Sequence, residues 1–92
     1  NHHIYATSLD NVGACYNLLG KSIQAFQMHK QALLIHKVTL GEHHPNYAKS
    51  LHHIAGCCKE LGDYEKAIEW FNKAIEKEKE EVLYRKQFIS NM

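Results

Sequence analysis

No run of apolar residues in this chain approaches the ~20 needed to cross a bilayer, and its opening, Asn1-His2-His3, has neither the basic start nor the apolar core of a secretion signal. Membrane insertion is therefore not expected, and the chain is expected in the cytoplasm. An excess of one charge is also missing. Eleven Lys and Arg face ten Asp and Glu, giving a formal charge of +1. A phosphate backbone would find no basic stripe to follow, so nucleic acid is not an expected partner. Cysteines number three, with Cys57 and Cys58 adjacent and no C-x-x-C spacing, which excludes a disulfide framework. Glycines are few, and each of the five falls at a turn or a close helix contact, so there is no Gly-rich loop to cradle phosphate. The first residue is not methionine, which suggests a processed chain or a piece of a longer one.

What is present describes a folded protein. Apolar residues make up 45% and charged residues 23%, ordinary values that argue against disorder. Ninety-two residues form one small domain at most. A chain of that size buries about 60–65% of the surface it would expose unfolded, too little to enclose a large internal cavity.

The sequence repeats. Sliding it by 42 residues places Tyr5, Ala6, Ser8 and Leu9 on Tyr47, Ala48, Ser50 and Leu51, then Cys15 on Cys57, Leu19-Gly20 on Leu61-Gly62, Ala25 on Ala67 and Ala32 on Ala74. His2 with His44 and Lys37 with Lys79 extend the match. A fixed period in this range signals stacked supersecondary units. Within each unit the apolar residues keep helical steps of four and three: Tyr5, Leu9, Val12, Tyr16 and Leu19, then Tyr47, Leu51, Ile54, Cys58 and Leu61. A second helix follows each Leu-Gly, carried by Ala25, Phe26, Ala32 and Leu33, then by Tyr64, Ala67, Ile68, Phe71, Ala74 and Ile75. Gly20, Gly41 and Gly62 end helices, Pro45 suits a first helical turn, and Asp63 suits a cap. The spacing predicts helices near residues 3–19, 22–39, 45–61 and 64–80. The expected fold is all-α: two helix-turn-helix repeats over residues 2–42 and 43–80, then an extension over 81–92 that either lengthens the last helix or caps the stack. The repeated alanines lie where hairpin helices approach most closely, and Cys15, Cys57 and Cys58 are expected to pack in the core.

The series Leu51, Ile54, Ala55, Gly62, Tyr64, Ala67, Phe71 and Ala74 resembles the tetratricopeptide repeat family. The first unit fits at Leu9, Val12, Gly13, Tyr16, Gly20, Ala25 and Ala32, but has Ser22 and His29 where that family usually has aromatics, which implies looser packing in the first hairpin. The long period and the linker Leu40-Gly41-Glu42-His43-His44-Pro45 resemble the kinesin light chain and nephrocystin-like variety. The resemblance implies a non-catalytic scaffold that binds a peptide segment or partner helix on a concave face formed by the first helices. Carried onto this chain, that groove is Thr7, Asp10, Asn11, Ala14 and Asn17 with Lys49, His52, His53, Gly56 and Lys59. Asn11 offers an amide able to pair with a bound backbone, and neutral His53 offers one donor and one acceptor, so its contact should weaken as pH falls toward about 6.5. Lys49 and Lys59 would favour an acidic peptide or a terminal carboxylate, though Asp10 and Glu60 oppose them. The plainer reading makes all of these solvated helix faces.

Eight histidines raise the question of a metal. Neighbours on a helix point about 100° apart, so the pairs His2-His3, His43-His44 and His52-His53 do not each grip one ion, and His29 and His36 lie two turns apart. With no acidic ligand beside them in sequence, neither a functional metal site nor any cofactor is expected, beyond casual affinity for nickel or zinc. No base lies beside any cysteine, so no enzyme is expected either. A rival to peptide binding is a purely structural segment, stacking on flanking repeats or forming a homodimer through exposed repeat faces.

Overall fold

The computed structural model describes residues 2–90. Four helices follow one another: α1 (His2–Leu18), α2 (Ser22–Thr39), α3 (Pro45–Glu60) and α4 (Tyr64–Ser90). Helices α1 and α2 pack as one hairpin, α3 and α4 as the next, and α2 lies against α3, so the hairpins stack. Among the described residues no helix is long and apolar enough to cross a membrane.

The turns explain the repeat. Gly20 (φ +77°) and Gly62 (φ +83°) each sit in the left-handed region just past a helix end. Beyond them Lys21 N–H reaches Tyr16 C=O at 2.8 Å, and Asp63 N–H reaches Cys58 C=O at 2.9 Å. This is the same six-residue closure in both hairpins, and a side chain with a Cβ would strain it. Entry to α3 is fixed by Pro45 in the first turn and by His44, whose Nδ1 accepts from Asn46 N–H at 3.1 Å. Asp63 caps α4 by accepting from Lys66 N–H at 3.2 Å.

Alanine sets the closeness of the helices: Ala6, Ala25, Ala32, Ala55 and Ala74 are fully buried. One core cluster joins Leu33 of α2 to Tyr47, Leu51 and Ile54 of α3 and Ala74 of α4, with Phe26 and Trp70 at its edge. A second joins Ala6, Leu9 and Ala32.

The two apolar stripes have different fates. On α3, Tyr47, Leu51, Ile54 and Cys58 are buried, while on α1 the equivalents Tyr5 (54% exposed) and Val12 (46%) face outward and Tyr16 is half-buried. Leu19 and Leu61 are exposed as well. The cause is positional: α3 is flanked by α2 and α4, whereas α1 has helices on one side alone. The inner face of α1 is instead Ala6, Leu9, Asp10 and Gly13. Cys15, expected in the core, is exposed for the same reason, while Cys57 and Cys58 are buried. Exposure recurs at the far end, where Ile68 and Ile75 of α4 lie open although their equivalents Phe26 and Leu33 pack against α3.

Helix α4 runs as one piece to Ser90, ten residues past the expected end. Residues 76–87 are rich in Glu and Lys and hold no glycine or proline, so nothing stops the helix. Arg85 pairs with Glu81 at 2.7 Å, and the Tyr84 ring stacks beside His43 with centroids 6.3 Å apart. Val82, Leu83, Phe88 and Ile89 remain more than half exposed.

Candidate functional site

Helical spacing puts Asp10 on the inner face of α1, one position beyond Leu9. Burying a carboxylate is costly unless it is paired and hydrogen-bonded. Here the partners converge from two other helices. From α2, His29 Nδ1 donates to Asp10 Oδ1 at 2.8 Å and His36 Nε2 to Oδ2 at 3.2 Å. From α3, Ser50 Oγ donates to Oδ2 at 2.9 Å, and His53 Nδ1 lies 3.7 Å from Oδ1. Burial pushes the Asp10 carboxyl up, but its contacts with His29, His53 and Ser50 outweigh that and hold it well below the usual carboxylate range. The two-turn separation of His29 and His36 lets each reach a different oxygen of one carboxylate.

Gly13 is part of this device, because a Cβ there would lie 2.8 Å from His29 Nε2. The glycine is what lets the His29 ring come this close to α1. The looser first hairpin expected from Ser22 and His29 is not observed. Both are buried, His29 on Asp10 and Ser22 with its hydroxyl donating to Asn17 Oδ1 at 3.0 Å. Polar contacts there replace the aromatic packing.

The second hairpin carries a counterpart with the roles exchanged. One period on from Asp10 and His36 stand His52 and Glu78, which pair across α3 and α4. In place of His29 stands Phe71, whose ring centroid is 5.8 Å from that of His52.

Above the Asp10 network, the seam between α1 and α3 opens to solvent as two depressions. One, of about 80 Å³, is walled by Thr7, Asn11, Asn46 and Lys49, with Asp10, His36 and His53 also lining it. The other, of about 330 Å³, is lined by Ala14, Asn17, Leu18, His29, His52, His53 and Gly56. His53 belongs to both, so they meet at its ring. Thr7, Asn11 and Lys49 are exposed on the walls, and Asn17, His52 and His53 are half-buried. Thr7 Oγ1 donates to the His3 carbonyl at 3.2 Å. Asp10 is floor rather than wall, its oxygens already engaged. Lys59 is exposed but lines neither depression.

The expectation that no acidic group would stand near the histidines needs correction, because folding brings Asp10 beside His29 and His53. One ligand atom from each of these three lies within 4.8 Å of the others. Sequence spacing could not show this, since the three residues sit on three helices. The available signals were a charged residue inside an apolar period, a glycine two turns from any bend, and two histidines seven apart.

The tetratricopeptide repeat family matches the chain over residues 2–77. The chain belongs to the tetratricopeptide repeat family. No curated protein matches it in a direct sequence comparison. Repeats of this family are generally protein-interaction modules and typically non-catalytic scaffolds. In this tetratricopeptide repeat chain the buried thiols agree with a packing role. Burial, reinforced by Cys58 and Glu60, pushes the Cys57 thiol up to about 11, and burial also raises Cys58, so neither is a ready nucleophile.

Proposed function

We propose that the seam between α1 and α3 receives an extended peptide segment or a partner helix. The observation that supports this is the pair of depressions joined at His53, walled by exposed polar side chains on the two first helices. The rigid Asp10 network beneath fixes the spacing of α1 and α3, so the groove is held ready before a partner arrives. Lys49 on the wall and Lys59 beyond its end favour an acidic peptide. We also assign the chain to the long-helix variety seen in kinesin light chain and nephrocystin-like proteins, on its period of 42 and its His-His-Pro linker. A cytoplasmic location fits its three free thiols.

The test is a peptide selected from a displayed random library against the intact chain. Asn11→Ala and Lys49→Ala remove exposed groups from the wall, so each should weaken the selected peptide at least about tenfold, as for an interface contact worth more than ~1 kcal/mol. Melting temperature should not move. Unchanged affinity in both variants would refute the groove.

A second reading rests on a separate observation. Tyr5 and Val12 on α1 are the exposed equivalents of buried Tyr47 and Ile54, and Ile68 and Ile75 on α4 are those of Phe26 and Leu33. The chain thus carries both halves of its own α2–α3 interface at opposite ends. Self-association, or stacking on further repeats, would cover them. Light scattering across protein concentration tests this: a mass that climbs with concentration, and falls back in Val12→Lys, supports it, and a constant monomer mass contradicts it.

A further inference from the structure

We propose that Asp10, His29 and His53 form a site for a zinc-class divalent ion, which would clamp α1, α2 and α3 together beneath the groove. This goes beyond the peptide-binding reading and does not depend on it.

The geometry comes first. Tetrahedral zinc bound to N and O ligands at about 2.0–2.1 Å holds its donor atoms about 3.3 Å apart. The two separations to Asp10 Oδ1 bracket that value, at 2.8 Å for His29 Nδ1 and 3.7 Å for His53 Nδ1. One ligand atom from each residue falls within 4.8 Å of the other two, so the histidine rings complete three corners by closing toward a common point by up to about 1.5 Å. The fourth corner belongs to water, which the depressions on either side of His53 admit.

The second observation is an unmet need. His53 Nδ1 is buried and has no hydrogen-bond partner, although it faces the Asp10 carboxylate. At 3.7 Å it is too far for a hydrogen bond. A buried ring nitrogen without a partner carries a free-energy penalty that a bound ion removes.

The third is support from behind. Ligating carboxylates work best when their other oxygen is fixed by hydrogen bonds. Ser50 Oγ and His36 Nε2 both hold Asp10 Oδ2, leaving Oδ1 turned toward His29 and His53. Coordination through His29 Nδ1 needs the lone pair of that nitrogen, so a proton held between it and Asp10 Oδ1 must leave, to Nε2 of the ring or to solvent, as the ion binds. Two imidazoles and one carboxylate select a zinc-class ion over calcium or magnesium, which prefer all-oxygen shells. Access is through His53, whose side chain is 34% exposed at the meeting point of the depressions.

The probe is Co²⁺ added to the chelator-stripped intact chain, followed by its visible absorption, with Zn²⁺ as competitor. The expected result is one equivalent of Co²⁺ with the intense bands of tetrahedral coordination, displaced by Zn²⁺. Zinc at a hundredfold excess over Kd should raise the melting temperature by roughly 10 °C. His53→Gln, at a partly exposed position, should lower the affinity at least tenfold, whereas His2→Gln and His43→Gln should not. Should His53→Gln fail to fold, side-chain ¹⁵N spectra of the unaltered protein decide: Zn²⁺ must shift the His29 and His53 ring nitrogens before those of His2 and His43. Absence of a tetrahedral spectrum, or binding that follows His2 or His43 instead, would overturn the assignment and leave casual surface binding.

Discussion

Gly13 and Gly56 sit in the first helices of successive hairpins, yet a methyl group means opposite things at each. At Gly13 it would meet the His29 ring at 2.8 Å, and at Gly56 it would meet nothing within 4 Å. Alanine is the better helix former by about 0.8–1 kcal/mol. Gly56→Ala should therefore stabilise the chain by about 0.5–1 kcal/mol in urea unfolding. Gly13→Ala should destabilise it by about 1–3 kcal/mol, since the ring must leave Asp10 to make room. Equal effects from the two would mean that the His29 ring is not held as described. Cys57 supplies a pH prediction at the same scale. Its thiol is raised in the folded state from near 9 to about 11. Stability from the neutral thiol is thus fully present below about pH 9 and is lost as pH rises through about 11. Thermal melts from pH 8 upward should fall more steeply for the unaltered chain than for Cys57→Ala, and parallel curves would contradict the burial of that thiol.

Across elements, the period of 42 predicted four helices, and their boundaries fall within two residues of expectation except at the end of α4. Turn chemistry made this legible, because Gly20 and Gly62 announce the same closure in both hairpins. The apolar stripes were legible as stripes but not as core. Period shows which residues share a face; whether a neighbouring helix covers that face depends on position in the stack. The Asp10 network was less legible still, since a buried carboxylate in a helix looks like any solvated Asp until the histidines of α2 and the serine of α3 are brought to it. The contrast can be measured. Ile54 is fully buried, and Ile54→Ala should cost about 2–5 kcal/mol. Its equivalent Val12 is 46% exposed, and Val12→Ala should cost less than about 1 kcal/mol. A similar loss at both positions would mean that a partner covers α1 in solution.

At the scale of the molecule, the chain is a slab 17 Å across in its thinnest direction, less than two helix diameters of 10–12 Å. So thin a stack cannot hide all its large apolar side chains, and it places one continuous face of α1 and α3 in reach of a partner. That face, with its walls of Thr7, Asn11 and Lys49 over a floor fixed by Asp10, carries the functional reading. The most direct test is chemical-shift mapping on the ¹⁵N-labelled chain as a selected peptide is added. Shifts concentrated at Thr7, Asn11, Lys49 and His53, with α2 and the outer face of α4 quiet, are what the account predicts. Shifts confined to the exposed apolar residues of α4, or to Tyr5 and Val12 on the outer side of α1, would contradict it.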